Sequence, residues 1–161
     1  MQIDDIEVFI FDFDGVLTDN KVFLNEKGEE TVVCSRSDGL GFDVLRKLKK
    51  KILILSTEKN AVVKRRAEKL QVECINDAKD KEVSLKSYIA ERNIDISKVF
   101  YVGNDLNDYN AMKLSRYSAC PADSHPIIRE ISGFILASNG GNGVVREILE
   151  DLFNINFREF I

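Results

Sequence analysis

Cysteine is scarce in this sequence: its 161 residues include only Cys34, Cys74 and Cys120, and no two of them form a Cys-x-x-Cys pair. Disulfide-stapled domains and structural zinc sites both need more cysteines at closer spacing. An odd number of widely separated cysteines is instead typical of reduced thiols that serve as small hydrophobic side chains. The sequence therefore predicts a cytoplasmic protein without a disulfide or zinc framework.

Long hydrophobic runs and blocks of positive charge are also missing. No apolar stretch approaches the roughly 20 residues that span a bilayer, and residues 1–5 carry two acids where a secretory signal would be basic. No basic run exceeds the three residues of Lys49–Lys51, and the formal net charge is −4. Because nucleic-acid and anionic-membrane surfaces concentrate positive charge, neither nucleic acid nor a membrane is expected as a partner.

What the sequence does contain is a regular alternation of short apolar runs with helical periodicities. With 44% hydrophobic and 31% charged residues, a chain of this length fits one domain, residues 1–161. Helices are predicted around Ala61–Leu70, with Ser56 or Asn60 as a possible start, and around Lys81–Arg92, after Asp80. Apolar strands that alternate with helices predict a mainly parallel sheet covered on both faces, a three-layer Rossmann-like α/β fold. The predicted strands are Val8–Phe11, Ile52–Leu55, Val72–Ile75, Val99–Val102, Tyr117–Cys120 and Gly133–Leu136.

Residues 20–35 interrupt this rhythm. Lys21–Leu24 and Glu30–Cys34 flank the short loop Asn25–Gly28, a pattern typical of a β-hairpin. Because the hairpin follows the first strand directly, it is expected to project as a flap over the carboxyl edge of the sheet. The chain ends in an apolar tail, residues 152–161.

Two aspartates stand where the first predicted strand ends, in Asp12-Phe13-Asp14-Gly15. Parallel sheets bind ligands beyond the carboxyl ends of their strands, and an aspartate within an apolar stretch is costly to bury unless it is paired. Two carboxylates at this spacing can share a divalent cation, and Gly15 permits a sharp turn. Asp12 is the candidate nucleophile toward phosphorus, and Asp14 the candidate acid that protonates the leaving oxygen. A solvated acidic pair at a turn is the alternative.

Two further polar groups are expected at the same edge of the sheet. Ser56 and Thr57 offer hydroxyl and N–H groups to a phosphate, although such residues often only cap a helix. Lys81 can neutralise both Asp12 and a phosphoryl group, although a single lysine is more often a surface residue. Neither group indicates a phosphate site by itself.

A fourth group follows the strand Val99–Val102. The loop Gly103–Asp108 offers hard oxygen ligands of the kind that Mg²⁺ prefers, and a loop that merely caps the next helix is the alternative. The candidate metal ligands are Asp12, Asp14, Asn104 and Asp105.

In this order, the four groups resemble the motifs of the haloacid dehalogenase-like superfamily, and the resemblance spans most of the chain. It implies an aspartyl-phosphate intermediate on Asp12, a phosphoryl group held by Ser56 and Lys81, and Mg²⁺ between Asp12 and the phosphate. The carbonyl of Asp14 would also contact the metal. The spacing leaves no room for a cap domain between the motifs, as in the cap-less members.

Longer matches narrow the resemblance to the phosphatases of 3-deoxy-octulosonate 8-phosphate and of the related nine-carbon 2-keto-3-deoxy sugar acid 9-phosphates. The matching segments are Asp12–Asp19, Ser37–Gly41, Pro121–Pro126 and Gly140–Glu147. This branch implies a homotetramer in which the hairpins build a central barrel and a neighbour's tail helps to cover each site. Packing of the tail within its own chain is the alternative.

Substrate length is indicated by the residues around the second helix. Glu58 stands where the eight-carbon enzymes typically carry an arginine, so the sequence is more similar to the nine-carbon enzymes. A carboxylate there could accept hydrogen bonds from a glycerol-like tail, and Arg66 and Lys69 could pair with the substrate carboxylate. A helix face of ordinary ion pairs is the alternative.

One position departs from the family pattern. The superfamily usually has an aspartate where Asn104 stands, and the amide lacks the charge that strengthens Mg²⁺ binding. Asp105 or Asp108 is the candidate compensation. A Gly-Asn start to this loop also occurs in domains fused to acylneuraminate cytidylyltransferases, some without catalytic activity. A weakly active or inactive tetramerisation module with such a cytidylyltransferase as partner is therefore the alternative function.

Overall fold

A six-stranded parallel sheet forms the centre of the computed structural model, which describes residues 1–160. The strands are β1 (Val8–Phe11), β2 (Phe23–Leu24), β3 (Glu30–Thr31), β4 (Lys51–Leu55), β5 (Glu73–Ile75), β6 (Val99–Val102), β7 (Tyr117–Cys120) and β8 (Phe134–Ile135). The order in the sheet is β5-β4-β1-β6-β7-β8, and every pair is parallel. The chain thus extends from β1 to one side and later returns to the other, and such a reversal opens a crevice at the carboxyl ends of the strands.

Helices cover both faces of this sheet. They are α1 (Arg36–Lys47), α2 (Ala61–Leu70), α3 (Lys81–Glu91), α4 (Tyr109–Leu114), α5 (Pro126–Ile131) and α6 (Val144–Glu147), which continues into a π-helical turn, Ile148–Leu152. On β1, Phe9 and Phe11 join the core that includes α1, α2 and α6, whereas Val8 and Ile10 join the core that includes α3, α4 and α5. Successive strand residues point to opposite faces, so a strand buried on both sides is apolar throughout.

The predicted strands are confirmed, with shifts of one or two residues at several ends. Both predicted helices are also confirmed, and the second helix starts after Asn60 rather than at Ser56. Asn60 caps α2 by accepting a hydrogen bond from the Val62 N–H at 3.1 Å. Asp80 caps α3 by accepting from the N–H groups of Glu82 and Val83 at 2.8 and 3.1 Å. Each cap satisfies amides that a helix start leaves without partners.

The hairpin is shorter than the sequence predicts. Only Phe23 and Leu24 pair with the second strand, and Cys34 instead forms an isolated bridge with Thr18. The Glu30 carboxylate accepts a hydrogen bond from the Asn60 side chain at 3.3 Å. The hairpin therefore reaches the start of α2, at the carboxyl edge where a flap is expected.

The tail packs against its own chain. Its 3₁₀ turn, Phe157–Phe160, lies on α1, and the Lys47 ammonium donates to the Phe160 carbonyl oxygen. Within the single chain, this is the alternative that the sequence left open. Ile161 lies outside the described residues.

No helix within residues 1–160 is long and apolar enough to cross a membrane.

Candidate active site

Asp12 lies immediately after β1, in the crevice between β4 and β6. Its backbone N–H donates to the Val102 carbonyl at 2.9 Å, which extends the β1–β6 ladder by one residue and fixes where the side chain begins. The side chain is nearly buried, at 4% exposure. Its Oδ1 accepts from the Phe13 N–H at 2.7 Å and lies 2.6 Å from the Lys81 Nζ. The carboxylate is thus held in one orientation by a backbone donor and a cation.

Lys81 is the counter-charge of this site. It is the first residue of α3 and is only 1% exposed, so the surface alternative for this lysine is wrong. Its Nζ lies 2.6 Å from Asp12 Oδ1 and 2.7 Å from Asp108 Oδ1. A buried ammonium is costly unless it is paired, and the two carboxylates provide that pairing.

Asp108 completes the cluster, and both of its oxygens have partners. Besides Lys81, Oδ1 accepts from the Tyr101 hydroxyl at 2.9 Å. Oδ2 accepts from the backbone N–H groups of Asn104 and Asp105 at 3.0 and 3.4 Å. The sequence offered Asp108 only as a possible compensation for the missing charge at Asn104. The sequence does not predict the Tyr101 contact, although a tyrosine in an otherwise apolar strand is a signal that its hydroxyl needs a partner.

Burial and neighbouring charges raise the pKa values of both Asp12 and Lys81, although burial by itself acts in opposite directions on the two groups. Burial raises the pKa of Asp12, and the Asp108 carboxylate raises it further, while Lys81 and the Phe13 N–H lower it. Burial by itself would lower the pKa of Lys81, but the Asp12 and Asp108 carboxylates outweigh it and hold the pKa above its usual value. Lys81 therefore remains a cation inside the protein.

Asp14 has a different environment. It is half-buried, and its Oδ1 is 3.5 Å from the Thr18 hydroxyl, which donates to it. Burial raises the pKa of Asp14, and the Glu58 carboxylate raises it further. A carboxyl group with a raised pKa holds a proton more readily, which is the property that a general acid needs.

Asn104 contacts both aspartates. The side chain is 7% exposed, and one terminal atom of its amide lies 2.9 Å from the Asp14 carbonyl oxygen and 3.0 Å from Asp12 Oδ2. The approach requires a glycine at position 15: Gly15 has φ +85°, and a Cβ there would lie 1.9 Å from the other terminal atom of the amide. Any side chain at that position would displace the amide.

These groups fit a small divalent cation, although no cluster of three His, Cys, Asp or Glu side chains that could hold a metal occurs within residues 1–160. The converging donors are instead of three kinds: the Asp12 carboxylate, the Asp14 backbone carbonyl and the Asn104 amide. Carboxylate and carbonyl oxygens are the donors that Mg²⁺ prefers. Two of the three are not acidic side chains, so a metal site of this composition is hard to recognise from carboxylates alone.

Asp105, the remaining predicted metal ligand, has a different local role. Its side chain is exposed, and its carboxylate accepts from the Leu106 N–H at 2.7 Å, which caps the 3₁₀ turn Leu106–Asp108. This is the helix-capping alternative that the sequence left open for the loop. The structure thus brings Asp108 rather than Asp105 into the cluster.

The predicted phosphate-binding residues follow β4. Ser56 is buried at 1% exposure, and its hydroxyl accepts from the Glu58 N–H at 3.0 Å. Thr57 is exposed, and its hydroxyl accepts from the Asn107 side chain at 3.3 Å. The loops after β4 and β6 therefore meet at the edge where Asp12 lies.

The three predicted substrate-binding residues occupy different places around α2. Glu58 Oε1 accepts from the backbone N–H groups of Lys59 and Asn60 at 2.6 and 2.8 Å. Arg66 donates to the Ser35 carbonyl at 2.7 Å. Lys69, in the last turn of α2, is exposed and lines a cavity of about 310 Å³ together with Arg66. None of the three touches Asp12 directly.

Comparison with known proteins identifies the family to which this fold belongs. A profile of the haloacid dehalogenase-like hydrolase family matches residues 42–148. The structure is similar to that of a protein described as a HAD family hydrolase from Streptomyces avermitilis, with a TM-score of 0.91 and 37% identity, covering 93% of this chain and 92% of that one. It is equally similar, with a TM-score of 0.91, to the 3-deoxy-D-manno-octulosonate 8-phosphate phosphatase from Moraxella catarrhalis, at 30% identity over 98% of this chain and 92% of that one. That structure contains a magnesium ion, a phosphate ion and a KDO molecule.

Sequence comparison agrees. The 3-deoxy-D-manno-octulosonate 8-phosphate phosphatase of Yersinia pestis is 27% identical over 146 residues, which cover 90% of this chain and 78% of that protein. These findings confirm the predicted fold and family, and the phosphatases among the relatives bear out the predicted reaction class, phosphoric monoester hydrolysis. The chain belongs to the haloacid dehalogenase-like hydrolase family.

Proposed function

We propose that this protein is a Mg²⁺-dependent phosphatase that hydrolyses a 2-keto-3-deoxy sugar-acid phosphate through a phosphoryl group carried on Asp12. The observation that carries the proposal is the buried Lys81 ammonium between Asp12 and Asp108, at 2.6 and 2.7 Å. A protein gains little stability from burying such a cluster. A phosphoryl group transferring to Asp12 would meet a fixed cation at the place where negative charge accumulates.

The proposed reaction consists of two successive displacements at phosphorus. In the first, the Asp12 carboxylate attacks phosphorus, the bond to the sugar oxygen breaks, and Asp14 gives its proton to that oxygen. In the second, a water molecule attacks the phosphorus of the aspartyl phosphate, Asp14 takes a proton from it, and Asp12 and inorganic phosphate are released. Lys81 holds Asp12 and the phosphoryl oxygens in place, and Ser56 and Thr57 lie at the same edge as donors.

Asp12, Asn104 and the Asp14 carbonyl would hold the magnesium ion, and Asp105 has the weakest structural support among the predicted ligands. When bound, the ion supplies positive charge against the phosphate oxygens. The site residues set the orientation of Asp12 by themselves, through Lys81 and the Phe13 N–H.

The substrate we favour is a nonulosonate 9-phosphate. The relatives from Yersinia pestis and Moraxella catarrhalis are phosphatases of the eight-carbon octulosonate 8-phosphate. Both the eight-carbon and the nine-carbon substrates are 2-keto-3-deoxy sugar-acid phosphates. Glu58 supports the longer substrate, because its carboxylate influences Asp14 and only Oε1 is used by the helix start. Arg66 and Lys69, as cations beside α1, are the proposed partners of the substrate carboxylate.

The test is phosphate release by the purified protein from the eight- and nine-carbon sugar-acid phosphates, with Mg²⁺ titrated from zero. We expect turnover that needs Mg²⁺, a higher kcat/KM for the nine-carbon substrate, and activity lower by about 10³-fold or more in Asp12→Asn. Trapping of labelled phosphate on Asp12 would verify the intermediate. Equal, negligible release by the wild type and Asp12→Asn would overturn the proposal. A cytidylyltransferase partner would then be sought by co-purification.

We also propose that the chain forms a homotetramer through its hairpin. Phe23 and Leu24 are 68% and 66% exposed, and Val22 and Val33 beside them are also exposed. A two-stranded sheet with two residues in each strand is marginal by itself, whereas contact with other copies would bury this apolar surface. The free Cys34 in the same region agrees with a reducing, cytoplasmic setting.

Light scattering tests this assembly. We expect a mass four times that of the chain for the wild type, and a smaller species for the double variant Phe23→Ser/Leu24→Ser. Val83→Ser is the control, because Val83 is also an exposed apolar residue, at 60%, but lies on α3. A monomeric wild type, or dissociation of the control alone, would contradict the assembly.

A further inference from the structure

The amide of Asn104 can face the site in either of two orientations, and the neighbours distinguish them. The terminal atom that faces Asp12 and Asp14 lies 3.0 Å from Asp12 Oδ2 and 2.9 Å from the Asp14 carbonyl oxygen. A backbone carbonyl oxygen only accepts hydrogen bonds, and so does the Asp12 carboxylate in its ionised form, which the ion pair with Lys81 favours. With Nδ2 in this place the amide donates two hydrogen bonds, and a buried side chain finds partners without any cation.

The opposite orientation of the amide suits metal binding. With Oδ1 in the same place, three oxygens converge, and the amide oxygen is 2.9 and 3.0 Å from the other two. Ligands on adjacent corners of an octahedron with Mg–O bonds of about 2.1 Å are about 3.0 Å apart. The spacing therefore suits a Mg²⁺ ion, but without a cation it sets lone pairs against each other.

We propose that Asn104 is a two-position residue: its NH₂ group closes the cation-free site, and its carbonyl group opens the site to the metal. The inference rests on the proposed Mg²⁺-dependent function and adds a positioning role for this amide. An aspartate at the same place could act only in the second way. It would bring a further negative charge within about 3 Å of Asp12 whenever the cation is absent.

Compared with an aspartate, asparagine at position 104 lowers the affinity for Mg²⁺ and raises the stability of the cation-free protein. Binding a metal breaks both amide hydrogen bonds, so the asparagine enzyme binds Mg²⁺ more weakly than an aspartate variant. The cation-free asparagine enzyme, however, avoids the repulsion between two adjacent carboxylates. Gly15 leaves the space that the far end of the amide occupies, so the two ends can exchange by rotation about one side-chain bond.

The first experiment compares Asn104→Asp with the wild type by thermal unfolding in EDTA and over a Mg²⁺ titration. We expect Asn104→Asp to unfold at a lower temperature in EDTA, to gain more from Mg²⁺, and to bind Mg²⁺ about tenfold more tightly or better. Asn110→Asp is the matched control, since it adds the same charge at an exposed position in α4 and should change neither quantity comparably. If Asn104→Asp equals the wild type in EDTA and in Mg²⁺ affinity, the inference is wrong.

The second experiment uses the wild type alone and so does not depend on a variant that folds. The side-chain NH₂ signals of Asn104, identified by their absence from the spectrum of Asn104→Ala, should exchange slowly with solvent in EDTA. Mg²⁺ should shift them and speed their exchange. Unmoved signals in a protein that binds Mg²⁺ and releases phosphate would overturn the inference and leave the proposed function standing. A wild type that binds no Mg²⁺ and releases no phosphate would overturn both.

Discussion

Two buried carboxylates, one on each side of the sheet, differ in how many of their oxygens have hydrogen-bond partners. Asp108, between β6 and α3, is fully buried, and both of its oxygens accept hydrogen bonds. Asp38, between α1 and α6, is 1% exposed, and its Oδ1 accepts from the Val145 N–H at 2.8 Å. Its Oδ2 finds no hydrogen-bond partner within the described part of the chain.

The difference shows what each carboxylate does. Asp108 pairs with Lys81 and thereby fixes the cation that faces Asp12. Asp38 caps α6 from another helix, because the residue before that helix, Gly143, has φ +89° and no side chain with which to cap it. Burial raises the pKa of Asp38 to about 6, against the N–H groups of Val145 and Arg146 and the charge of Arg66, which lower it. One carboxylate positions the Lys81 ammonium beside Asp12, whereas the other is a structural cap that can accept a proton.

Replacing Asp108 by asparagine should have the largest effect. Four donors face the two oxygens of Asp108, and an amide can accept from only one side while its NH₂ group opposes the donors on the other. We expect the free energy of unfolding to fall by about 3 kcal/mol or more, and phosphate release to fall with it as Lys81 loses its position. Urea unfolding in EDTA and a turnover assay measure the two effects. An Asp108→Asn variant as stable as the wild type would show that these four contacts do not require the Asp108 carboxylate.

The same substitution at Asp38 should cost less and should change the pH dependence of stability. The folded-state pKa of about 6 lies above the ordinary value of 3.8, so the folded protein binds the proton more tightly. Stability from this group is therefore fully present below about pH 3.8 and is lost as pH rises through 6. Between pH 5 and pH 8 the loss should be about 1 to 2 kcal/mol, and Asp38→Asn should lack it. Urea unfolding of both proteins at the two pH values is the measurement, and parallel pH profiles would contradict the role of Asp38.

The smallest expected effect is that of Tyr101→Phe, which removes one donor from Asp108 and leaves Lys81 in place. We expect the free energy of unfolding to fall by about 1 to 2 kcal/mol. Tyr88→Phe is the control, because the Tyr88 hydroxyl makes only a 3.5 Å contact with Glu73, and its loss should cost less than about 0.5 kcal/mol. If both variants lost the same free energy of unfolding, the hydrogen bond from Tyr101 to Asp108 would stabilise the protein no more than the weak contact of Tyr88.

Much of the fold and part of the site can be predicted from the sequence because both depend on local patterns. The apolar run Val8–Phe11 defines a strand buried on both faces, and the carboxyl ends of parallel strands share one edge, so Asp12 and Asp14 lie where the sequence predicts. The place of Lys81 follows in the same way from its position at the start of a helix. These assignments need only the period of each element and the direction of the strands.

The rest depends on distances between loops, which no local pattern contains. Asp105 and Asp108 are both acids in one loop, but the 3₁₀ turn directs Asp105 to the Leu106 N–H and Asp108 into the interior. The short β2–β3 pairing and the Asp38 cap likewise arise from contacts between segments far apart in the chain. Sequence predicts which groups reach the edge of the sheet, and tertiary packing decides which of them meet.

The position of β1 has a consequence for the growing chain. Its partners β4 and β6 follow much later in the sequence, and Asp12 finds Lys81 and Asp108 only after roughly 100 further residues have been added, about 5 to 20 s at the usual rate of synthesis. Until β4 has been synthesised, the four apolar residues Val8–Phe11 have no strand with which to pair. The proposed nucleophile is therefore synthesised among the first residues but meets the Lys81–Asp108 pair only after the chain has grown past residue 108.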